Sequence, residues 1–419
     1  MDEYKLIDLL TYTRDGEWGK GEPTNGYVLM SVIRGTDFEK VRFGDLSTVP
    51  NRYIREDIAN RKMLKPGDIL IETAGGTKDQ PTGRTVYLND SVFLNARNPV
   101  TCASFSRFLR VKENIVDPKF LFWALQDKYK SNDLLPFHIQ HTGVARFQFT
   151  DFSKSFPFSL PDYKKQIKIA GILSSLDDKI DLNRRMNETL EAMARAIFKD
   201  WFVDFGPTRA KMEGRAPYLA QEIWDLFPDA LDDEGKPVRW EEKKIDDFIT
   251  RLPVGKKFDQ KTVSKAGKVP VLDQGKEGVI GYHSEEPGVH ASLDNPVVVF
   301  ANHTCNMRIA TFDFSTIQNV LPFIGQGVDT VWAYYASSGK QKFIEYKGHW
   351  PDFIIHKAVC PSFHFTKQFR GLIDPFLRKV VQNNLESRTL AQTRDLLLPK
   401  LMSGEIRVKD AEKTVEQAL

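Results

Sequence analysis

The chain has 419 residues, 41% of them hydrophobic and 27% charged, with a formal net charge of +3, so it is long enough for two or three domains with cores of their own. No apolar run approaches the ~18 residues a membrane span needs, and the start, MDEYKLIDLL, lacks the basic-then-apolar order of a secretory signal, so a cytoplasmic setting is expected. Cys102, Cys305 and Cys360 are too widely spaced for a disulfide framework or a zinc cluster and are read as small buried residues, and the near-balanced charge excludes a polybasic arm.

Residues 1–160 consist of short apolar runs punctuated by Gly, Pro, Asn and Asp, which suggests small mixed sheets with a few helices. Lys65-Pro66-Gly67-Asp68 turns into a strand at Ile69-Leu70-Ile71, and a polar loop from Thr73 to Lys78 follows. Phe120, Leu121, Ala124 and Leu125 make one apolar face of a helix predicted over Pro118 to Lys130. A long helix is expected over 161–204, opened by the capping run Ser159-Leu160-Pro161-Asp162 and closed by Gly206-Pro207. Its positions Leu173, Leu176, Ile180, Asn183, Asn187, Leu190, Ala194, Ile197 and Trp201 alternate steps of three and four, the spacing of a coiled-coil seam.

Residues 205–364 return to the sheet-like pattern. Val269-Pro270-Val271 leads into the glycine-punctuated loop Gln274-Gly275-Lys276-Glu277-Gly278 and then Val279-Ile280-Gly281-Tyr282-His283. Pro296-Val297-Val298-Val299-Phe300 is the clearest buried strand, followed by the polar run Asn302 to Asn306. A second long helix over 365–404 carries the seam Ile373, Phe376, Val380, Asn383, Ser387, Leu390, Arg394, Leu397 and Leu401. Asp374-Pro375 reads as an N-cap and first helical position and so offers this helix an alternative start, and Pro399 should kink or end its last turn. Residues 405–419 are left as a tail.

The two helical stretches repeat at an offset of 200 residues: Asn183 matches Asn383, Thr189-Leu190 matches Thr389-Leu390, and the apolar positions coincide from Leu173 with Ile373 to Trp201 with Leu401. Each seam needs a partner, and the other copy is the nearest one. The expected architecture is α+β: two heads of mixed sheets and helices, separated by two long helices that form an antiparallel intramolecular coiled coil with a pseudo-two-fold repeat. The seam asparagines either fix register from within it or lie solvated on its flank. The heads share little sequence beyond their starts, Lys5-Leu6-Ile7-Asp8-Leu9 and Lys244-Ile245-Asp246-Asp247-Phe248. One frame holding two divergent surfaces suits a reader of two different half-sites, because base-edge recognition changes with the side chains.

Catalytic motifs find no complete set. Phe323-Ile324-Gly325-Gln326-Gly327 has the FxGxG shape of a methyl-donor loop, but no Asn-Pro-Pro-aromatic companion exists, since Asn98-Pro99 and Asn295-Pro296 both precede valine. No GxxxxGKS/T phosphate loop occurs. His138 and His141 have helical metal spacing without an intervening Glu, and Pro351-Asp352 lacks the acidic-x-lysine partner of a metal nuclease. No metal site is expected.

The stretch Gln166 through Ile180, continuing through Asn187-Glu188-Thr189-Leu190 to Trp201-Phe202-Val203-Asp204-Phe205, resembles the central conserved region of type I restriction-modification specificity subunits. Asn384 through Leu390 and Arg394 through Ile406 resemble the family's distal conserved region. The turn near Pro66 and the loop near Gly275 are similar to features of its target-recognition domains. The resemblance implies a first target-recognition domain over 1–160, a central conserved helix over 161–204, a second target-recognition domain over 205–364, a distal conserved helix over 365–404 and a tail over 405–419. It also implies double-stranded DNA with a bipartite sequence as ligand, with the helices setting the gap between the halves. Two copies of an adenine-methylating modification subunit and an ATP-driven restriction subunit are the implied partners. S-adenosylmethionine, ATP and magnesium would sit on those partners, leaving this chain no cofactor and no catalytic residue. Pro375 and Arg394 depart from the expected seam and put the straightness of the second helix in question.

Polar and basic loop residues are the candidates for DNA contact: Thr77, Lys78, Arg84 and Arg146 in the first head, and Gln274, Lys276, His303, Asn306 and Arg308 in the second. Arg and Lys suit guanine or phosphate, whereas Asn and Gln suit adenine. Two competing readings are a stand-alone methyltransferase or nuclease, and a coiled-coil scaffold without sequence-specific DNA binding.

Overall fold

The turn at Lys65–Asp68 works as its sequence suggests: Gly67 sits at φ +86°, and the Asp68 carboxylate accepts the Lys65 backbone N–H at 2.8 Å. It feeds the strand Ile69–Glu72, buried along its whole length. The computed structural model describes residues 2–76, 80–140, 144–275 and 278–418. Around such short strands the chain forms two units, one of residues up to Asn183 together with those from Glu386 onward, the other Arg184–Leu385.

In the first unit Asp2–Lys5 pairs antiparallel with Pro157–Leu160. A four-stranded antiparallel sheet runs in the order Leu10–Asp15, Ser106–Val111, Ile69–Glu72, Thr85–Tyr87. A three-stranded sheet places Tyr27–Ile33 between Asn51–Arg55, antiparallel, and Val100–Cys102, parallel. The second unit contains the same kinds of sheet. Glu241–Lys244 pairs antiparallel with Lys357–Cys360. Four antiparallel strands run in the order Ile249–Arg251, Val320–Gly325, Val297–Ala301, Met307–Ala310. Val269–Leu272 lies between antiparallel Val279–His283 and parallel Ser315–Thr316. The short likeness at the head starts has a structural counterpart, since Lys5 N–H donates to Asp8 and Lys244 N–H to Asp247, each closing a first helical turn after a strand.

The central helix is Tyr163–Phe202 and the distal helix Phe363–Ser403, beginning 200 residues later. Within the first unit Arg394 donates to Asp177, and Asn183 Nδ2 donates to Glu386 at 2.8 Å and Ser387 at 3.3 Å. Within the second, Asn187 Nδ2 donates to Asn384 at 2.9 Å, and Asn383 Nδ2 donates to Asn187 at 2.8 Å. In the second unit the rings of Phe198 and Phe369 also lie 5.7 Å apart and those of Trp201 and Phe365 6.4 Å apart, so in each unit partner numbers fall along one helix as they rise along the other and the helices pack antiparallel. Asn183 and Asn383 are buried, at 2% and 0% exposure, which decides between register residue and solvated flank in favour of the seam.

The distal helix begins at Phe363, not at the alternative start Asp374-Pro375, and it continues through both Pro375 and Pro399 to Ser403. The Pro375 ring faces the carbonyl of the residue four positions earlier, and that residue is Gly371. Asp374 also receives Arg370 and Arg378 across adjacent turns, adding side-chain links where one backbone hydrogen bond is missing. Arg394, a seeming flaw in an apolar seam, is an ion-pair partner of Asp177 and Asp395.

Leu173, Leu176, Leu390, Leu397 and Leu401 are buried in the first unit's main core with Phe120–Leu125, and Ile180 packs against it. That segment is the predicted helix, Pro118–Lys130, with Asp117 as its cap. The tail contributes a further helix, Val408–Ala418, which buries Ala411 and Val415 in the same core. The second unit is aromatic: Trp201, Phe202, Phe227, Trp240, Trp332, Phe365 and Phe369 share one core with Ile373, and Ile197 and Phe376 pack against it. Leu190 and Val380 are half-buried.

Candidate nucleic-acid interface

In the first head, the loop leaving Ile69–Glu72 is laced to a short hairpin of His138–Ile139 and Arg146–Phe147. Phe147 N–H donates to Thr73 O at 2.9 Å, and Gly75 N–H to Ala145 O at 3.1 Å. Arg146 is exposed and lines a cleft of about 410 Å3 together with Arg107, Gln148 and Thr150. Arg107 is already forked onto Asp15 at 2.7 and 2.9 Å. Arg84 is committed inward: its Nε and terminal nitrogen donate to the two oxygens of Glu72 at 2.9 and 2.6 Å, and Glu72 is 3% exposed. That hydrogen bonding holds the Arg84 guanidinium pKa above its usual value, against the desolvation that would lower it. Thr77 and Lys78 lie outside the described residues. His138 accepts the Thr82 backbone N–H at 3.1 Å, a role internal to the loop; His141 lies outside the described residues.

The second head brings four of its five candidates together. The buried strand Val297–Ala301 ends in a tight turn closed by Ala301 N–H to Asn306 O at 2.9 Å and Cys305 N–H to Ala301 O at 2.8 Å, with Cys305 at φ +57°. On this turn, His303 N–H donates to Gln274 Oε1 at 2.7 Å. Thr304 Oγ1 and Asn306 Nδ2 donate to the Gln274 backbone carbonyl at 2.6 and 3.1 Å. The His303 ring stacks on Tyr346, centroids 4.8 Å apart, and its Nδ1 lies 2.8 Å from Lys347 O. Arg308 is half-buried and donates to Gly278 O at 2.8 Å, and burial lowers its guanidinium pKa. Lys276 lies outside the described residues.

Gln274 and Asn306 line a cleft of about 690 Å3 whose other lining residues include Lys257, Gln260, Thr262 and Gln318. Sequence reasoning missed these four. The available signal was Phe258, an apolar residue in a polar loop, which stacks on His283 at 4.1 Å and anchors that segment. Among the described residues no group of three or more His, Cys, Asp or Glu could hold a metal ion. Burial pushes the Cys102 and Cys360 thiols up to about 12, which keeps them protonated near neutrality.

Residues 23–192, from the first head into the central helix, match the family model of the type I restriction modification DNA specificity domain. The type I restriction enzyme HindI specificity subunit of Haemophilus influenzae is 24% identical over 462 aligned positions, spanning 91% of this chain and 98% of its own length. Along nearly its whole length the chain is similar to type I restriction enzyme specificity subunits. A second specificity subunit, that of the MjaIX enzyme of Methanocaldococcus jannaschii, is also 24% identical and spans 97% of both chains. The fold of the chain is similar to that of the S subunit of a type I restriction-modification system from M. genitalium, with a TM-score of 0.50, 13% identity, and coverage of 96% and 95% of the two chains. No described helix is long and apolar enough to cross a membrane.

Proposed function

We propose that this chain is the non-catalytic DNA-specificity subunit of a type I restriction-modification enzyme, each head reading one half of a bipartite site in double-stranded DNA. The observation that carries this reading is the near-full-length similarity to two proteins that are both named type I restriction enzyme specificity subunits. The arrangement of the site suits it, because like sheets in the two units support loops of different chemistry, an exposed arginine in one and a pair of amides in the other.

In this reading the chain is a pseudo-two-fold repeat of head plus helix. The paired helices set the gap between half-sites and dock two copies of a modification subunit, and a restriction subunit completes the assembly. S-adenosylmethionine, ATP and magnesium belong to those partners, and the assembly works in the cytoplasm. The test maps methylated adenines in the host genome with and without this gene. A bipartite motif that disappears with the gene is expected. Methyl transfer by the purified chain alone would overturn the reading, and the absence of sequence-preferring DNA binding with the modification subunit present would favour a scaffold.

A further inference from the structure

Amide side chains are ambiguous readers until their two ends are told apart, and the second head fixes both. Gln274 must point Oε1 toward His303, because the group it meets there is a backbone N–H at 2.7 Å. Its other end is therefore the Nε2 donor. Asn306 must point Nδ2 toward Gln274 and Thr304, because it meets a carbonyl oxygen and a hydroxyl, each at 3.1 Å. Its amide nitrogen is held by that pair of acceptors, and the other end of the amide is the Oδ1 acceptor. Among the described residues neither Gln274 Nε2 nor Asn306 Oδ1 makes a hydrogen bond, and both residues line the same cleft.

One donor beside one acceptor is the complement of a single base edge. In the major groove adenine offers the N7 acceptor next to the N6 donor, whereas guanine offers two acceptors, cytosine only its N4 donor, and thymine the O4 acceptor beside a methyl group. Resting on the DNA-specificity reading above, we propose that Gln274 and Asn306 act as one reader of an adenine in the half-site addressed by the second head. Gln274 Nε2 donates to adenine N7, and Asn306 Oδ1 accepts from adenine N6. The turn that carries Asn306 is tied through His303 and Thr304 to the loop that carries Gln274, so the pair is held before DNA arrives and less ordering is needed on binding.

Gln274→Glu keeps the oxygen that accepts from His303 and replaces the outward donor with an acceptor, which suits cytosine N4 in place of adenine N7. The assay uses the full complex with its modification subunit, on the site defined by methylation mapping, and reads DNA binding by competition. The expected result is a loss of roughly ten- to hundredfold in affinity for the cognate site, with preference moving from adenine to cytosine at one position of one half. A second measurement needs no variant. Replacing adenines of that half one at a time by 7-deazaadenine, which lacks N7, is expected to weaken binding of the wild-type complex at one position by a similar factor, and to leave the Gln274→Glu complex indifferent there. If the wild-type complex recognises a bipartite site but no adenine in either half responds to removal of N7, this inference fails alone. If the complex recognises no bipartite site, the specificity reading itself fails.

Discussion

Arg84 and Glu72 are twelve positions apart in sequence, yet they form a two-pronged ion pair whose carboxylate is almost wholly withdrawn from water. Removing the arginine strands a buried charge, which costs about 3–5 kcal/mol. Arg84→Met is therefore predicted to lower the urea midpoint of the chain by a corresponding amount, and Glu72→Gln on top of it to recover part of the loss. A stable Arg84→Met protein with altered half-site preference would instead make Arg84 a DNA contact. A sequence shows that a loop is polar and basic, but it does not show which charges already have partners, because those partners come from distant strands. The same limit applies at Arg308, whose half-buried guanidinium meets the Gly278 carbonyl. At Gln274 and Asn306 the residue types were legible, and the direction in which each amide points was not.

At the scale of elements, the long helices were the most legible feature, since heptad spacing and a constant offset are local signals. What the sequence left open was whether the distal helix runs through Pro375, because a proline after an aspartate is a strong opening signal that the tertiary setting overrides here. Phe365 and Phe369 thereby become helical core residues beside Trp201, at ring distances of 6.4 and 6.1 Å. Trp201→Ala is predicted to cost about 3–5 kcal/mol, read as a lower midpoint of thermal or urea unfolding; a shift within error would contradict the aromatic core described for the second unit. Asp177 makes a comparable case in the first unit, where it accepts from Arg42 of the head and Arg394 of the distal helix. Asp177→Ala leaves two largely buried guanidinium groups without their shared carboxylate and is predicted to destabilise by about 3 kcal/mol. An unchanged urea midpoint would rule that role out.

For the whole molecule, the two heads share sheet pairings although their sequences share little beyond the first turn. Sheet pairing is non-local, and alternating short strands can be filled by many side chains, so a common framework leaves almost no trace in a single sequence. The loops, free of that packing, carry the differences. Binding of the assembled complex to DNA is predicted to fall steeply with salt, because phosphate contacts release counterions; a flat salt response would contradict a reader that grips the backbone. The most direct test of two independent heads exchanges residues 1–160 for those of another family member and maps the methylated motif. The account predicts that one half of the motif changes while the other half and the spacer stay as they were. A change in both halves together would contradict it.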